Sequence, residues 1–259
     1  MDFGVKSKFA LVTGGTHGIG KAIALGLAIE GCHVAVFSRT EERVEKMRKE
    51  LSAIDGNHLC FVSDVLDEDG YQETYNEIEK VWPGVDILVN NIGGGGRWGD
   101  PDFLKTSDQV WQEVYDKNLT ASMRYTKRFL PYMLKNRWGR VVTITSTLGK
   151  EAGGRPWYNI AKTAQTVLMK NLSRVPDYAS ANITFNSVAP GAIWIENTGW
   201  EQLKQEQPVK YNEFVQSLPR KSLGLPEEVA SVVTFLCSQQ ASLVNGASIL
   251  VDGGQSHAL

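Results

Sequence analysis

Seven short apolar runs, rich in β-branched residues, recur along the chain, and they constrain its fold more than any other feature. They lie at Phe9–Val12, Val34–Phe37, Leu59–Val62, Ile87–Val89, Val141–Ile144, Ile183–Val188 and Ser248–Val251. Segments of helical period separate them: Ile19–Glu30, Glu41–Leu51, Asp67–Val81, Ser107–Asn136, Trp157–Ser180 and Pro226–Ser238. Strands that alternate with helices build βαβ units, whose strands run parallel with helices over both faces. The expected fold is therefore α/β, a doubly wound, parallel, seven-stranded sheet in a single domain over residues 1–259. That length is within reach of one domain, and no linker, repeat or low-complexity tract divides it. Only Trp194–Leu225 breaks the rhythm, long and rich in polar and aromatic residues. Excursions of this length in compact α/β domains serve as lids or binding loops, so 194–225 is expected to be a substrate-binding excursion.

Composition removes several classes of function. A formal net charge of −2 offers no basic field for a nucleic-acid backbone, so any phosphate binding has to be local. No apolar run reaches the roughly 20 residues that span a bilayer. The segment Met1–Lys8 is polar and lacks a signal-peptide core, which points to the cytoplasm. Cys32, Cys60 and Cys237 are scattered and form no CxxC pair, as expected of buried thiols rather than a disulfide framework. Four histidines (17, 33, 58 and 257) show no metal-ligand spacing, so no metal is expected.

Directly after the first strand comes Thr13-Gly14-Gly15-Thr16-His17-Gly18-Ile19-Gly20, which opens into a helix. Glycines at 14, 18 and 20 permit a tight turn and let backbone N–H groups approach an anion at the positive end of the helix dipole. The spacing is G-x3-G-x-G, in the place where a Rossmann-type fold holds a dinucleotide. At the end of the second strand Ser38-Arg39 stands where an acidic residue would hold the adenosine ribose of NAD. A carboxylate would repel a 2′-phosphate, whereas a guanidinium grips it with two parallel hydrogen bonds. NADP(H) is therefore preferred over NAD(H), against the plainer reading of Arg39 as a solvated charge ahead of Glu41, Glu42 and Arg43. Asp64 and Asn90-Asn91 follow the third and fourth strands, at the strand ends where open parallel sheets bind ligands. Each also suits an ordinary turn.

Tyr158 and Lys162 are four residues apart and share a helix face. A phenol with a pKa near 10 is protonated at neutral pH, and a neighbouring cation lowers that value toward the range of a general acid/base. The pair gains meaning from Ser146, twelve residues earlier at a strand end, whose hydroxyl can reach the same pocket.

Taken together these pieces resemble the short-chain dehydrogenase/reductase family along almost the whole chain. The matching segments are Thr13–Gly20, Asp64-Val65, Asn90-Asn91-Ile92-Gly93, Asn118, Ser146, Tyr158-x-x-x-Lys162, Pro190-Gly191 and Val251–Gly254, in the family's order. Gly149–Pro156 is similar to the 3-oxoacyl-carrier-protein reductase-like members. The resemblance implies an NADP-dependent oxidoreductase that interconverts a carbonyl and a secondary alcohol. It implies that Tyr158 transfers the proton, that Lys162 lowers the tyrosine pKa and binds the nicotinamide ribose, and that Ser146 orients the carbonyl. Asn118 would kink its helix and hold a water linking Lys162 to solvent. Gly14, Thr16, His17, Gly18, Ile19 and Gly20 would hold the pyrophosphate and ribose; Asp64 and Val65 would flank the adenine. Asn91 would meet a ribose, Gly93 would also belong to the cofactor site, and Ile193 would lie against the nicotinamide.

Three departures bear on these assignments. The serine-to-tyrosine spacing is one short, which leaves Thr145 as an alternative to Ser146. Ile92 replaces the family's alanine, and Ile195 stands where many members carry a cofactor-contacting threonine, a place Thr198 could take. Three segments, Gly93–Asp100, Lys150–Trp157 and Trp194–Leu225, are expected to wall the pocket with Trp98, Trp157, Trp194 and Trp200, which suits a ring or extended apolar body. The competing functions are a non-redox enzyme on the same fold, such as an epimerase or dehydratase, and a silent nucleotide-binding module. Apolar residues of the two long helices (Val110, Val114, Leu119, Met123, Phe129, Leu130; Val167, Leu168, Leu172, Val175) exceed what one sheet face covers. With an open C-terminal strand edge and the family likeness, they point to a homotetramer.

Overall fold

A computed structural model describes residues 2–259, apart from the side chain of Glu68. Seven parallel strands form one sheet in the order β3-β2-β1-β4-β5-β6-β7. They are β1 (Phe9–Thr13), β2 (His33–Ser38), β3 (Leu59–Val62), β4 (Ile87–Asn90), β5 (Gly139–Ile144), β6 (Ile183–Pro190) and β7 (Ser248–Val251). The helices are α1 (Gly18–Ile29), α2 (Glu41–Leu51), α3 (Glu68–Glu79), α4 (Asp108–Tyr115), α5 (Ala121–Asn136), α6 (Pro156–Ser173), α7 (Pro176–Ser180), α8 (Gly199–Glu206), α9 (Pro208–Ser217) and α10 (Pro226–Cys237). β1 pairs with β2 on one side and β4 on the other, with Ala10 opposite both Val34 and Ile87. The chain reverses its winding there, so the carboxyl ends of β1 and β4 open a crevice.

Period-two alternation sends β1 into two cores. Ala10 and Val12 face Ile23 and Leu27 of α1 and Val229 and Val233 of α10. Leu11 faces the opposite layer, with Ile78 of α3, Tyr125, Phe129 and Met133 of α5 and Met169 of α6. Each fully buried aliphatic or aromatic side chain contributes about 1.5–3 kcal/mol relative to exposure. Two such layers fix the sheet firmly enough to hold functional groups at its strand ends.

The structure revises several expected elements. Ser107–Asn136 is not one helix: a π-helical turn at Asp116–Thr120 separates α4 from α5. Trp157–Ser180 also divides, because Pro176 lacks an N–H and excludes helical geometry at Val175, which is extended. The excursion folds into α8 and α9, and a parallel bridge between Ile193 and Gly224 closes its neck. Of the apolar positions read as surplus, Val114, Phe129 and Leu130 are core residues, whereas Met123 and Val167 are 44% and 51% exposed. Cys32 and Cys237 are buried and Cys60 is half-buried. Among the described residues no helix is long and apolar enough to cross a membrane.

Candidate active site

The cradle at the sheet's switch point is laced together by hydrogen bonds from two side chains to backbone. Thr13 Oγ1 accepts hydrogen bonds from the amides of Asn91 (2.9 Å) and Ile92 (3.1 Å). In return Asn91 Nδ2 donates to the carbonyls of Thr13 (2.9 Å) and Gly14 (3.2 Å). Gly14 and Gly18 take left-handed backbone (φ +63° and +54°), which carries the turn beneath the start of α1. A Cβ on Gly20 would collide with Asn91 and with Gly14 O, so only glycine lets the helix press this close. The N-cap of α1, His17, makes no side-chain cap, and no acidic residue sits in the first turn. The first amides thus stay free for an anion, and the cradle fits a dinucleotide pyrophosphate.

From this turn a cavity of about 250 Å³ runs over the ends of β2 and β3, lined by Thr16, Ser38, Arg39, Asp64 and Val65. Arg39 Nη1 lies 3.5 Å from Asp64 Oδ2, an exposed pair open to exchange with a ligand. Arg43 and Lys117 line the same cavity, so three cations face one carboxylate. Neither Arg43 nor Lys117 stands out in the sequence, since one begins a charged helix and the other precedes Asn118.

A second cavity, about 480 Å³, continues from the first through His17, Asn91 and Gly93, which line both. Gly18, Ile19, Gly20, Ser146, Tyr158, Lys162, Ile193, Ile195, Thr198 and Trp200 line it too. The two candidate hydroxyls differ in their bonding. Thr145 Oγ1 donates to the Val188 carbonyl at 3.0 Å, whereas Ser146 Oγ accepts from Leu148 N at 3.2 Å and also hydrogen-bonds the Tyr158 side chain. Ser146 is the hydroxyl available to a substrate oxygen.

Lys162 is 2% exposed, and its ammonium donates to Ile144 O (2.9 Å) and Gln165 Oε1 (3.0 Å). Burial pushes its pKa down to about 7, and the charge of Lys117 adds to the effect. The Nζ lies 5.7 Å from the centroid of the Tyr158 ring. Contrary to the sequence expectation, the Tyr158 pKa is raised, not lowered. Burial is the main cause, only partly offset by the Ser146 hydrogen bond, and the ammonium is spent on other acceptors.

Asn118 sits, buried, within the π-helical turn that interrupts the helix. Its Nδ2 donates to Val114 O (2.7 Å) and Gly94 O (2.9 Å), and its Oδ1 accepts from Gly94 N (3.3 Å). The side chain thereby competes with helical backbone bonding, a recognised cause of a π-bulge near a functional site. The Asn118 carbonyl accepts from Gln165 Nε2 at 2.9 Å. The fully buried Gln165 carboxamide therefore joins the Asn118 backbone to Lys162. A Cβ at Gly93 would lie 2.7 Å from Lys162 Nζ and 2.8 Å from Asn118 Oδ1, so any larger residue here would displace one of these side chains.

The expected tryptophans go to different places. Trp200 lines the second cavity and stacks on Phe214 at 4.7 Å. Trp194 lines a neighbouring hollow beside Lys46 and packs edge-on to Tyr211. Trp98 is half-buried under the Lys117 ammonium. Trp157 does not wall the cavity: at the start of α6 it is 0% exposed, packed among Trp111, Val114 and Ala161. Ile195 closes on Gly18, and Thr198 Oγ1 donates to Ile195 O at 2.6 Å, so both departures sit at the mouth of the pyrophosphate turn. Among the described residues no group of three or more His, Cys, Asp or Glu could hold a metal ion.

A family model described as Enoyl-(Acyl carrier protein) reductase matches residues 14–256. The 3-oxoacyl-[acyl-carrier-protein] reductase FabG of Aquifex aeolicus is 37% identical over 256 residues, covering 98% of this chain and 99% of the relative. The chain belongs to the short-chain dehydrogenase/reductase family. Membership makes this short-chain dehydrogenase/reductase an oxidoreductase of carbonyl or alcohol groups. Dehydrogenase/reductase SDR family member 4 of Bos taurus is 34% identical over 96% of this chain and 87% of its own length. Among solved structures, L-sorbose reductase from Gluconobacter frateurii, complexed with NADPH and L-sorbose, superposes with a TM-score of 0.90 at 28% identity, with full coverage of both chains. Levodione reductase gives 0.88 at 30% identity, covering 98% of this chain and 99% of its own.

Proposed function

We propose that the protein is an NADP-dependent carbonyl reductase, reversible as an alcohol dehydrogenase, with Tyr158 as general acid/base. One observation carries the reading: Ser146, Tyr158 and Lys162 converge on a cavity continuous with a glycine-turned trench that ends among Arg39, Arg43 and Lys117. A nicotinamide dinucleotide held along that trench would supply or accept the hydride. Everything else falls to the protein's own groups. The Ser146 hydroxyl orients the substrate oxygen, and Tyr158 gives its phenolic proton to that oxygen as negative charge develops on it. The raised pKa keeps the phenol protonated and ready to donate. In the oxidative direction the same oxygen receives the proton back. Lys162, held by Ile144 O and Gln165, is placed to bind the nicotinamide ribose. Gly14, Thr16, His17, Gly18, Ile19 and Gly20 would seat the pyrophosphate, Asp64 and Val65 the adenine, Asn91 and Gly93 a ribose, and Ile193 the nicotinamide.

Three cations against one acid support a 2′-phosphate and hence NADP(H) over NAD(H). The NADPH in the L-sorbose reductase complex agrees with that choice. The excursion 194–225, anchored at its neck, is the lid over the substrate. A homotetramer remains the proposed assembly, supported by exposed Met123 on α5, exposed Ile160 and Val167 on α6, and the open edge of β7. The test follows absorbance of reduced nicotinamide with ketones, keto sugars and oxoacyl thioesters. Turnover with NADPH above NADH is expected. No turnover on any class would leave the non-redox or silent alternatives.

A further inference from the structure

We propose that Arg97 makes the cavity selective for carbonyl substrates that carry a carboxylate, an inference that rests on the carbonyl-reductase reading above. Arg97 lines the same cavity as Ser146 and Tyr158, and no aspartate or glutamate lines it. The other cation in the wall, Lys162, already donates to Ile144 O and Gln165. Among the described residues Arg97 has no ion-pair partner within reach. Arg97 is exposed, and a guanidinium with no carboxylate beside it in the cavity wall can bind an anionic group on the substrate.

The arginine is also held in place. Its guanidinium lies 5.4 Å from the centroid of Trp200, whose indole stacks on Phe214 of α9 at 4.7 Å and 23°. Three segments thus meet in one stack: the loop after β4, α8 and α9. Position 199 makes room for it, because any Cβ there would overlap the Arg97 guanidinium. A guanidinium beside an indole keeps N–H groups for a planar, two-pronged acceptor, the geometry of a carboxylate. The carboxylate takes no part in bond making. The ketone carbon gains hydride, the ketone oxygen gains the Tyr158 proton, and the acid group only positions the molecule.

Paired substrates test this: acetoacetate against methyl acetoacetate, and levulinate against methyl levulinate, each with NADPH and with NADH. In the wild type kcat/KM for the acids should exceed that for the esters by about tenfold or more, the worth of one charge-assisted contact. Arg97→Met should erase the acid preference mainly through KM, Arg97→Lys should keep part of it, and neither should change the Kd for NADPH. Glutarate, which has no ketone, should inhibit the wild type competitively with the ketone and spare Arg97→Met. An acid-to-ester ratio equal in wild type and Arg97→Met overturns the proposal, and so does a weakened NADPH Kd, which would give Arg97 to the cofactor. Failure of the wild type to reduce any member with either cofactor overturns the carbonyl-reductase reading itself, and this inference with it.

Discussion

Replacing Lys162 with methionine should change how stability depends on pH, by an amount the site predicts. The folded-state pKa is about 7 against 10.5 for the free side chain, and burial is the main cause. Between those two values the unfolded chain binds a proton that the native chain does not, so stability rises with pH across the window. The contribution is complete above the unfolded pKa and is lost as pH falls toward 7. One proton difference is worth about 1.36 kcal/mol per pH unit, so from about pH 7 to about pH 8.5 Lys162 should add about 1.5 kcal/mol once partial protonation of the native state is included. Lys162→Met lacks this titration. Cysteine thiols shifted upward by burial titrate alike in both proteins and cancel in the difference. Urea unfolding at the two pH values reads the stability gap between variant and wild type directly. The gap should shift by about 1.5 kcal/mol in favour of the wild type at the higher pH. A gap that is constant within a few tenths would mean Lys162 stays charged throughout, and the burial argument would fail.

The other expectations follow the same logic. Arg39→Ala combined with Ser38→Asp should weaken NADPH roughly 10–100-fold and improve NADH, read by fluorescence titration of each cofactor. An unchanged NADPH constant would reduce Arg39 to a surface charge. Gln165→Leu removes an acceptor from the Lys162 ammonium and should lower its pKa further, while Gln165→Glu should raise it, so the pH profiles of kcat/KM should move in opposite directions. Equal losses with no movement of either profile would leave Gln165 a packing residue. Size exclusion coupled to light scattering should find a tetramer, and Met123→Glu with Val167→Glu should yield a smaller species; a wild-type monomer would refute the assembly.

Much of the fold is legible in the chain because central strands of a parallel sheet are apolar on both faces and read as uninterrupted runs. Each of β1 to β7 falls within two residues of such a run at either end. Helix interruptions are less visible. The π-helical turn at Asp116–Thr120 comes from hydrogen bonds of Asn118 to Val114 and Gly94, tertiary facts with no spacing signature. Pro176, by contrast, is a visible breaker in 157–180, and it does end α6 early. At the site, spacing brings Tyr158 and Lys162 to one face but says nothing of burial, so it misses the upward shift of the phenol. Gln165 sits three residues after Lys162, which is the one signal that could have marked it, yet a helix glutamine is commonly a surface residue. The tryptophans show the limit of composition: Trp200 on α8 lines the cavity, Trp194 in the loop after β6 lines a neighbouring hollow, and Trp157 on α6 is in the core, a division that spacing does not reveal.

The most direct test of the central claim compares wild type with Tyr158→Phe under saturating NADPH, using whichever ketone the wild type reduces fastest. Only the phenolic oxygen and its proton are lost, while the ring and its packing stay. Loss of general acid catalysis predicts a fall in kcat of about 10²–10⁴-fold, with the Kd for NADPH within about twofold of wild type. A variant that keeps more than about half of the wild-type kcat would contradict the account, because proton transfer would then not run through Tyr158.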